Sequence, residues 1–153
     1  MTHTRGWDLA GTALRLVLGG VLLVAGALKV TNLDASVLAV RAYELLPWDA
    51  AGLVGRALPV LEILVGLLLI VGLFTRSAAL AAGLLMLAFV VGIASAWARG
   101  LAIDCGCFGG GGTIEPAKTA YPWELARDVA LLVAAGWLAW RPRTAYALDG
   151  RWT

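Results

Sequence analysis

The sequence predicts an all-α integral membrane protein, a four-helix bundle with a short interfacial helix between its first two spans. Three observations predict it. The 153 residues are 61% hydrophobic and 14% charged, where an ordinary soluble domain carries roughly 25% charged residues, and their mean hydropathy is +0.85. Four apolar segments approach the roughly 20 residues with which a helix crosses a ~30 Å hydrocarbon core. Lipid offers the backbone no hydrogen-bond partners, so such segments must be helical. No polar linker divides them into groups, and residues 1–153 read as one domain.

The first span runs from about Leu9 to Lys29. It exceeds the ~7–15-residue core of a signal peptide and is expected to be retained. Asp34 is placed to cap a short helix from Ala35 to Leu46, stopped by Pro47. In that helix Val37, Val40, Leu45 and Leu46 are expected at the membrane interface, with Arg41 and Glu44 towards water. The second span covers about 53–74 and the third about 77–98, joined by a tight turn near Thr75 and Arg76. A longer loop, Arg99–Pro122, leads to the fourth span, about 123–140, with Pro122 suited to a helix first turn. Small residues inside the spans, among them Gly19, Gly26, Gly66 and Gly92, are either close-packing points or simply tolerated in lipid.

Four spans put both long loops on one face. Arg5, Arg76, Arg141, Arg143 and Arg151 fall on the face of the termini; Arg41, Arg99 and Lys118 fall on the other. Cytoplasmic loops carry the excess of Lys and Arg. The expected location is therefore the plasma membrane, multi-pass, with cytoplasmic termini and the cysteine loop outside. Trp48, Trp97, Trp123 and Tyr121 then form an outer aromatic belt, and Trp7, Trp137 and Trp140 an inner one. A net charge of +2 with scattered basic residues gives no reason to expect nucleic acid.

Chemistry concentrates in Asp104-Cys105-Gly106-Cys107-Phe108, followed by Gly109–Gly112. Cys105 and Cys107 are the only cysteines in the chain. Thiolates serve both as redox nucleophiles and as metal ligands. A disulfide across one residue closes a strained ring, which makes it labile rather than structural. Gly106 relieves crowding between the thiols, and the glycines beyond Phe108 let the segment approach a partner. Three readings stand: a redox-active pair, metal ligation, or inert thiols. The single histidine, His3, is far away in sequence, and two thiols do not complete a four-ligand site. A metal would need carboxylates or a second chain, and none is expected. Asp104 either moves protons during exchange or caps its loop.

Lys29 and Glu62 lie near the outer ends of adjacent spans, where ionisable groups usually face partners. They are expected to pair, either as a structural ion pair or as polar lining of a quinone site. Arg15, within the first span, either snorkels or makes a packed polar contact. Tyr43 either anchors the short helix or lines the same pocket. Neither a Ser-His-Asp set nor a phosphate-binding glycine loop between strand and helix is present.

In four pieces the chain resembles the DoxX-like membrane proteins, and within them the MauE branch. They are Ala25-Gly26-Ala27-Leu28-Lys29, Tyr43-Glu44-Leu45-Leu46-Pro47, Pro59-Val60-Leu61-Glu62 and Asp104-Cys105-Gly106-Cys107-Phe108-Gly109. The resemblance implies a four-helix membrane protein associated with thiol redox. MauE proteins are linked to maturation of methylamine dehydrogenase, beside a thioredoxin-like partner. The architecture is also similar to DsbB and vitamin K epoxide reductase, which carry two cysteine pairs. This chain has one, so that pair would have to meet both the protein partner and the electron acceptor. The leading expectation is thus a membrane thiol–disulfide oxidoreductase, or a subunit of one. Cys105 and Cys107 would exchange disulfides with a thioredoxin-like protein, with possible coupling to quinone through Lys29, Tyr43 and Glu62. The rivals are a non-enzymatic scaffold subunit of a redox or maturation complex, and a metal-binding membrane protein or transporter. Oligomers are compatible with all of these.

Overall fold

A computed structural model describes residues 2–107, 112–113 and 120–151. It contains five α-helices: α1 (Thr2–Val30), α2 (Leu33–Ala42), α3 (Trp48–Val71), α4 (Thr75–Ala98) and α5 (Tyr121–Trp140). A two-residue antiparallel ladder, β1 (Ile103–Asp104) with β2 (Gly112–Thr113), sits in the loop before α5, and a 3₁₀ turn (Leu148–Arg151) follows it. Among the described residues, three helices are long and apolar enough to cross a membrane: residues Thr4–Val30 of α1, and all of α3 and α4. Charge sets α5 apart, because Glu124, Arg127 and Asp128 all fall in its first turns. The ladder was not expected from the sequence.

Lipid tails are as apolar as leucine, so close backbone approach and polar contacts decide how membrane helices pack. The α1–α3 seam follows that rule. A Cβ on Gly19 would come within 2.9 Å of the Gly66 carbonyl, and one on Gly26 within 2.7 Å of the Pro59 carbonyl. These glycines are close-packing points rather than merely tolerated. Helix α4 lies on α3 and α5, and α5 returns to α1. Leu18, Leu22, Leu69, Ala79, Met86 and Leu138 fill the shared centre.

Helix α2 departs from expectation in three ways. Its cap is Asn32, whose side chain accepts from the Ala35 N–H at 3.1 Å, and Asp34 lies inside the first turn. It stops at Ala42 instead of reaching Leu46, because Glu44 turns to a positive φ of 53°. Its Val37 face is buried on α3 rather than laid on the interface. Pro59 explains the docking. Lacking an N–H, it leaves the Gly55 carbonyl one turn back without its helical partner. The Ser36 hydroxyl of α2 donates to that carbonyl at 2.6 Å, and Gly55 has no Cβ to hold the two backbones apart.

The α3–α4 turn is tight, as expected, with Gly72 at φ 74° and Phe74 at φ 50°. Arg15 is buried and donates to Thr144 Oγ1 at 3.0 Å, a packed contact with the chain after α5. Trp48, Trp97 and Trp123 are exposed at one end of the molecule, as a belt requires. Tyr121 is not part of that belt. It is buried, donates to the Leu101 carbonyl and accepts from the Ile103 N–H, so it holds the cysteine loop from beneath.

Candidate functional site

The loop after α4 is fastened at both sides before it reaches the cysteines. Tyr121 holds Leu101 and Ile103, and Tyr43 Oη donates to the Cys105 carbonyl at 3.0 Å. The Tyr43 ring lies over Gly92 of α4, where a Cβ would sit 3.3 Å away. Its own carbonyl accepts from the Arg99 guanidinium. Burial first, and then the neighbouring thiols, push the Tyr43 phenol far above its ordinary range. Tyr43 thus holds the loop through its hydroxyl.

Gly106 takes a positive φ of 71°, which an L side chain adopts only at a cost of roughly 1–2 kcal/mol. That turn folds Cys107 back under Cys105. Asp104 Oδ1 accepts from the Gly106 N–H at 3.1 Å, the loop-capping geometry of its two readings. The Cys107 N–H donates to Cys105 Sγ at 3.3 Å. Both cysteines are free thiols and both are buried, 7% and 5% exposed. Phe108–Gly111 and Lys118 lie outside the described residues.

The two thiols are unequal. A hydrogen bond from Cys107 and a further one from the Arg127 guanidinium pull the Cys105 thiol below its ordinary range, against burial and the Glu124 carboxylate. Cys107, the donor and the deeper of the pair, is pushed well above that range by its bond to Cys105 and by burial. The two thiols thus meet different surroundings, with Cys105 Sγ accepting the Cys107 N–H and Cys107 the deeper of the two.

Beneath Cys107 lies a small interior cavity of about 10 Å³, bordered by Glu62, Met86, Phe89, Arg127 and Asp128. Lys29 Nζ donates to Glu62 Oε1 at 2.7 Å, with both side chains buried, and stands 5.0 Å from the Phe89 ring centre. The expected Lys29–Glu62 pair therefore forms, and Lys29 does not snorkel. A buried pair that loses one partner typically costs 3–5 kcal/mol, because the other charge is stranded. Arg127 Nε donates to Asp128 Oδ1 at 2.9 Å. On the outside of the helices, Tyr43 and Phe89 border an apolar groove of about 460 Å³ with Leu58, Leu87 and Gly92.

Glu124, Arg127 and Asp128 were missed as site residues. Their signal was available: three charges at i, i+3 and i+4 share one helix face, and that is costly in a span unless they face protein. Glu124 also completes a set with metal-ligand character. One ligand atom each from Asp104, Cys105 and Glu124 lies within 4.8 Å of the others. The carboxylates that a metal would need are therefore present, which cysteine spacing alone did not reveal.

Helices long enough to span, packed through glycines around a thiol pair seated on buried charges, define a helical membrane protein with a thiol site. The family described as methylamine utilisation protein MauE matches residues 8–141, and the chain belongs to that family. It is 36% identical over 100 residues to the methylamine utilization protein MauE of Paracoccus denitrificans, a match covering 65% of this chain. The matched region spans 54% of that relative, so the chain corresponds to about half of its length. No solved structure matches.

Proposed function

We propose that the chain is a four-span membrane protein of thiol–disulfide exchange, with Cys105 as the attacking thiolate and Cys107 as the resolving thiol. The loop geometry supports this reading: Cys105 Sγ accepts the Cys107 N–H at 3.3 Å, and Cys107 lies deeper, against the interior cavity. The Cys105 thiolate attacks a disulfide of a thioredoxin-like partner at the outer face. A Cys105–partner bond forms and one partner sulfur leaves as thiolate. Cys107 then gives up its proton and attacks Cys105 Sγ, and the partner leaves as a dithiol carrying two electrons. The steps run in reverse when the partner arrives reduced. A quinone–quinol couple, taking or giving two electrons and two protons, returns the pair to its starting state. The groove beside Tyr43 and Phe89 supports that coupling, since its volume and apolar lining suit a lipid-borne ring. The family's name makes methylamine utilisation the first process in which to look for the partner.

Four spans are favoured because the charges of α5 turn inward, with Asp128 only 2% exposed. The wider DoxX-like likeness rests on the motifs alone. A metal-binding reading is favoured by one observation, the Asp104–Cys105–Glu124 cluster. It predicts stoichiometric zinc in the purified protein, lost in Cys105→Ser. Under the exchange reading, Cys107→Ser accumulates a mixed disulfide between Cys105 and a thioredoxin-fold protein, and Cys105→Ser does not. A normal partner redox state in both variants overturns that reading and leaves the scaffold role.

A further inference from the structure

Cys107, only 5% exposed, cannot resolve a mixed disulfide until its proton leaves. The cavity beneath it has the means to take it. Asp128 on α5 and Glu62 on α3 both border it, 2% and 0% exposed. Each gives one oxygen to a cation, Asp128 Oδ1 to Arg127 and Glu62 Oε1 to Lys29. Each keeps the other oxygen, Asp128 Oδ2 and Glu62 Oε2, buried without a hydrogen-bond partner among the described residues. An unpaired buried acceptor costs roughly 1–3 kcal/mol, and two around one cavity ask for a shared donor. The volume of about 10 Å³ is close to the minimum that one water needs.

We infer that Asp128 is the proton acceptor for Cys107, reached directly or through one water held between Cys107, Asp128 and Glu62. The inference rests on the exchange reading above. In the resolving step the Cys107 S–H bond breaks and its proton passes to Asp128 Oδ2. The sulfur pair forms the bond to Cys105 Sγ, and the bond from Cys105 to the partner breaks, its electrons leaving on the partner thiolate. Asp128 is chosen over Glu62 because its partner Arg127 is partly exposed, 20% against 4% for Lys29, which gives the proton a way out. The charged or titratable groups around Asp128 are Lys29 from α1, Glu62 from α3, Tyr43 after α2, Glu124 and Arg127 on α5, and the two thiols. Helix α4 contributes Met86 and Phe89 to the cavity, neither of them titratable.

The test uses the full chain in lipid nanodiscs and a small aromatic disulfide as oxidant. Release of the first thiol reports attack by Cys105, and release of the second reports resolution by Cys107. In Asp128→Asn the ratio of the second rate to the first should fall by roughly 10²-fold at neutral pH, the usual weight of a general base. The ratio should recover as pH rises, and Asp128→Glu should restore most of it. An unchanged ratio across the pH range overturns the inference and leaves the exchange reading intact. If the wild-type chain releases neither thiol, the exchange reading itself falls. Should Asp128→Asn not fold, infrared difference spectra of the wild-type chain decide the matter. Oxidation of the pair must protonate a buried carboxylate, and no carboxylic acid signal means that Asp128 takes no proton.

Discussion

Cys105 and Cys107 share a sequence context yet meet opposite environments. Cys105 accepts hydrogen bonds and has a guanidinium near it; Cys107 donates and is deeper. The sign of the consequence follows directly. A group that accepts bonds as thiolate loses its proton at lower pH, so these surroundings lower the pH at which Cys105 does so. Alkylation of Cys105 should rise with a midpoint below the ~8.5 of a free thiol. Cys107→Ala removes the largest stabilising bond, so the midpoint should move upward. Iodoacetamide labelling followed across pH by mass spectrometry checks this, and a midpoint unmoved or lowered by the substitution contradicts it. At this scale the Lys29–Glu62 contact was legible in the chain, while the bond by which Tyr43 fastens the cysteine loop was not. Nor was the inequality of the thiols, because Arg127 and Asp128 reach them from twenty residues further along. Only folding brings α5 beneath the loop.

At the scale of elements, the first three spans were legible as long apolar helices, because lipid leaves the backbone few choices. Their joints were less so. Asn32 displaced Asp34 as the cap of α2, and Pro59 recruited Ser36, through contacts that apolar periodicity does not encode. The start of α4 is another such joint. Its N-cap residue, Phe74, offers no side-chain oxygen. Asp149 from the chain after α5 supplies two, accepting from Phe74 N and Thr75 N at 2.7 Å each. Burial pushes the Asp149 carboxyl up, but these bonds outweigh it and hold it below the usual range. Replacing Asp149 with Ala should cost about 1 kcal/mol, as loss of a helix cap does. A lowered folded pKa means that the contribution is complete above the unfolded value of about 3.9 and fades as pH falls through the folded one. Thermal unfolding in detergent should therefore separate the variant from wild type at pH 7, with the gap closing in acid. An equal gap at pH 3 and pH 7 would rule out the carboxylate as the cap.

For the whole molecule, the question is whether α5 crosses the bilayer. Its three early charges set it apart from the three helices apolar enough to cross, yet they lie towards Cys105, Cys107 and the interior cavity. The ends of the chain bear on the same point. Thr12 Oγ1 donates to the Ala145 carbonyl at 2.8 Å, and the Ala145 N–H donates to the Asp8 carbonyl at 3.2 Å. The chain leaving α5 thus returns to the first turns of α1, at the end away from Lys29 and the cysteine loop. A helix that stayed on the loop side could not make those contacts. On the four-span reading proposed above, both termini share one face and the thiols lie near the other. The arginines at 5, 76, 141 and 143 favour the cytoplasm for the face of the termini. A fluorescent reporter that matures only in the cytoplasm should therefore light at either terminus. A phosphatase reporter active only outside should work when fused after Arg99, and fail after Arg143. Termini found on opposite faces would mean three crossings. That result would take α5 out of the bilayer and the buried charges away from the thiols they are proposed to serve.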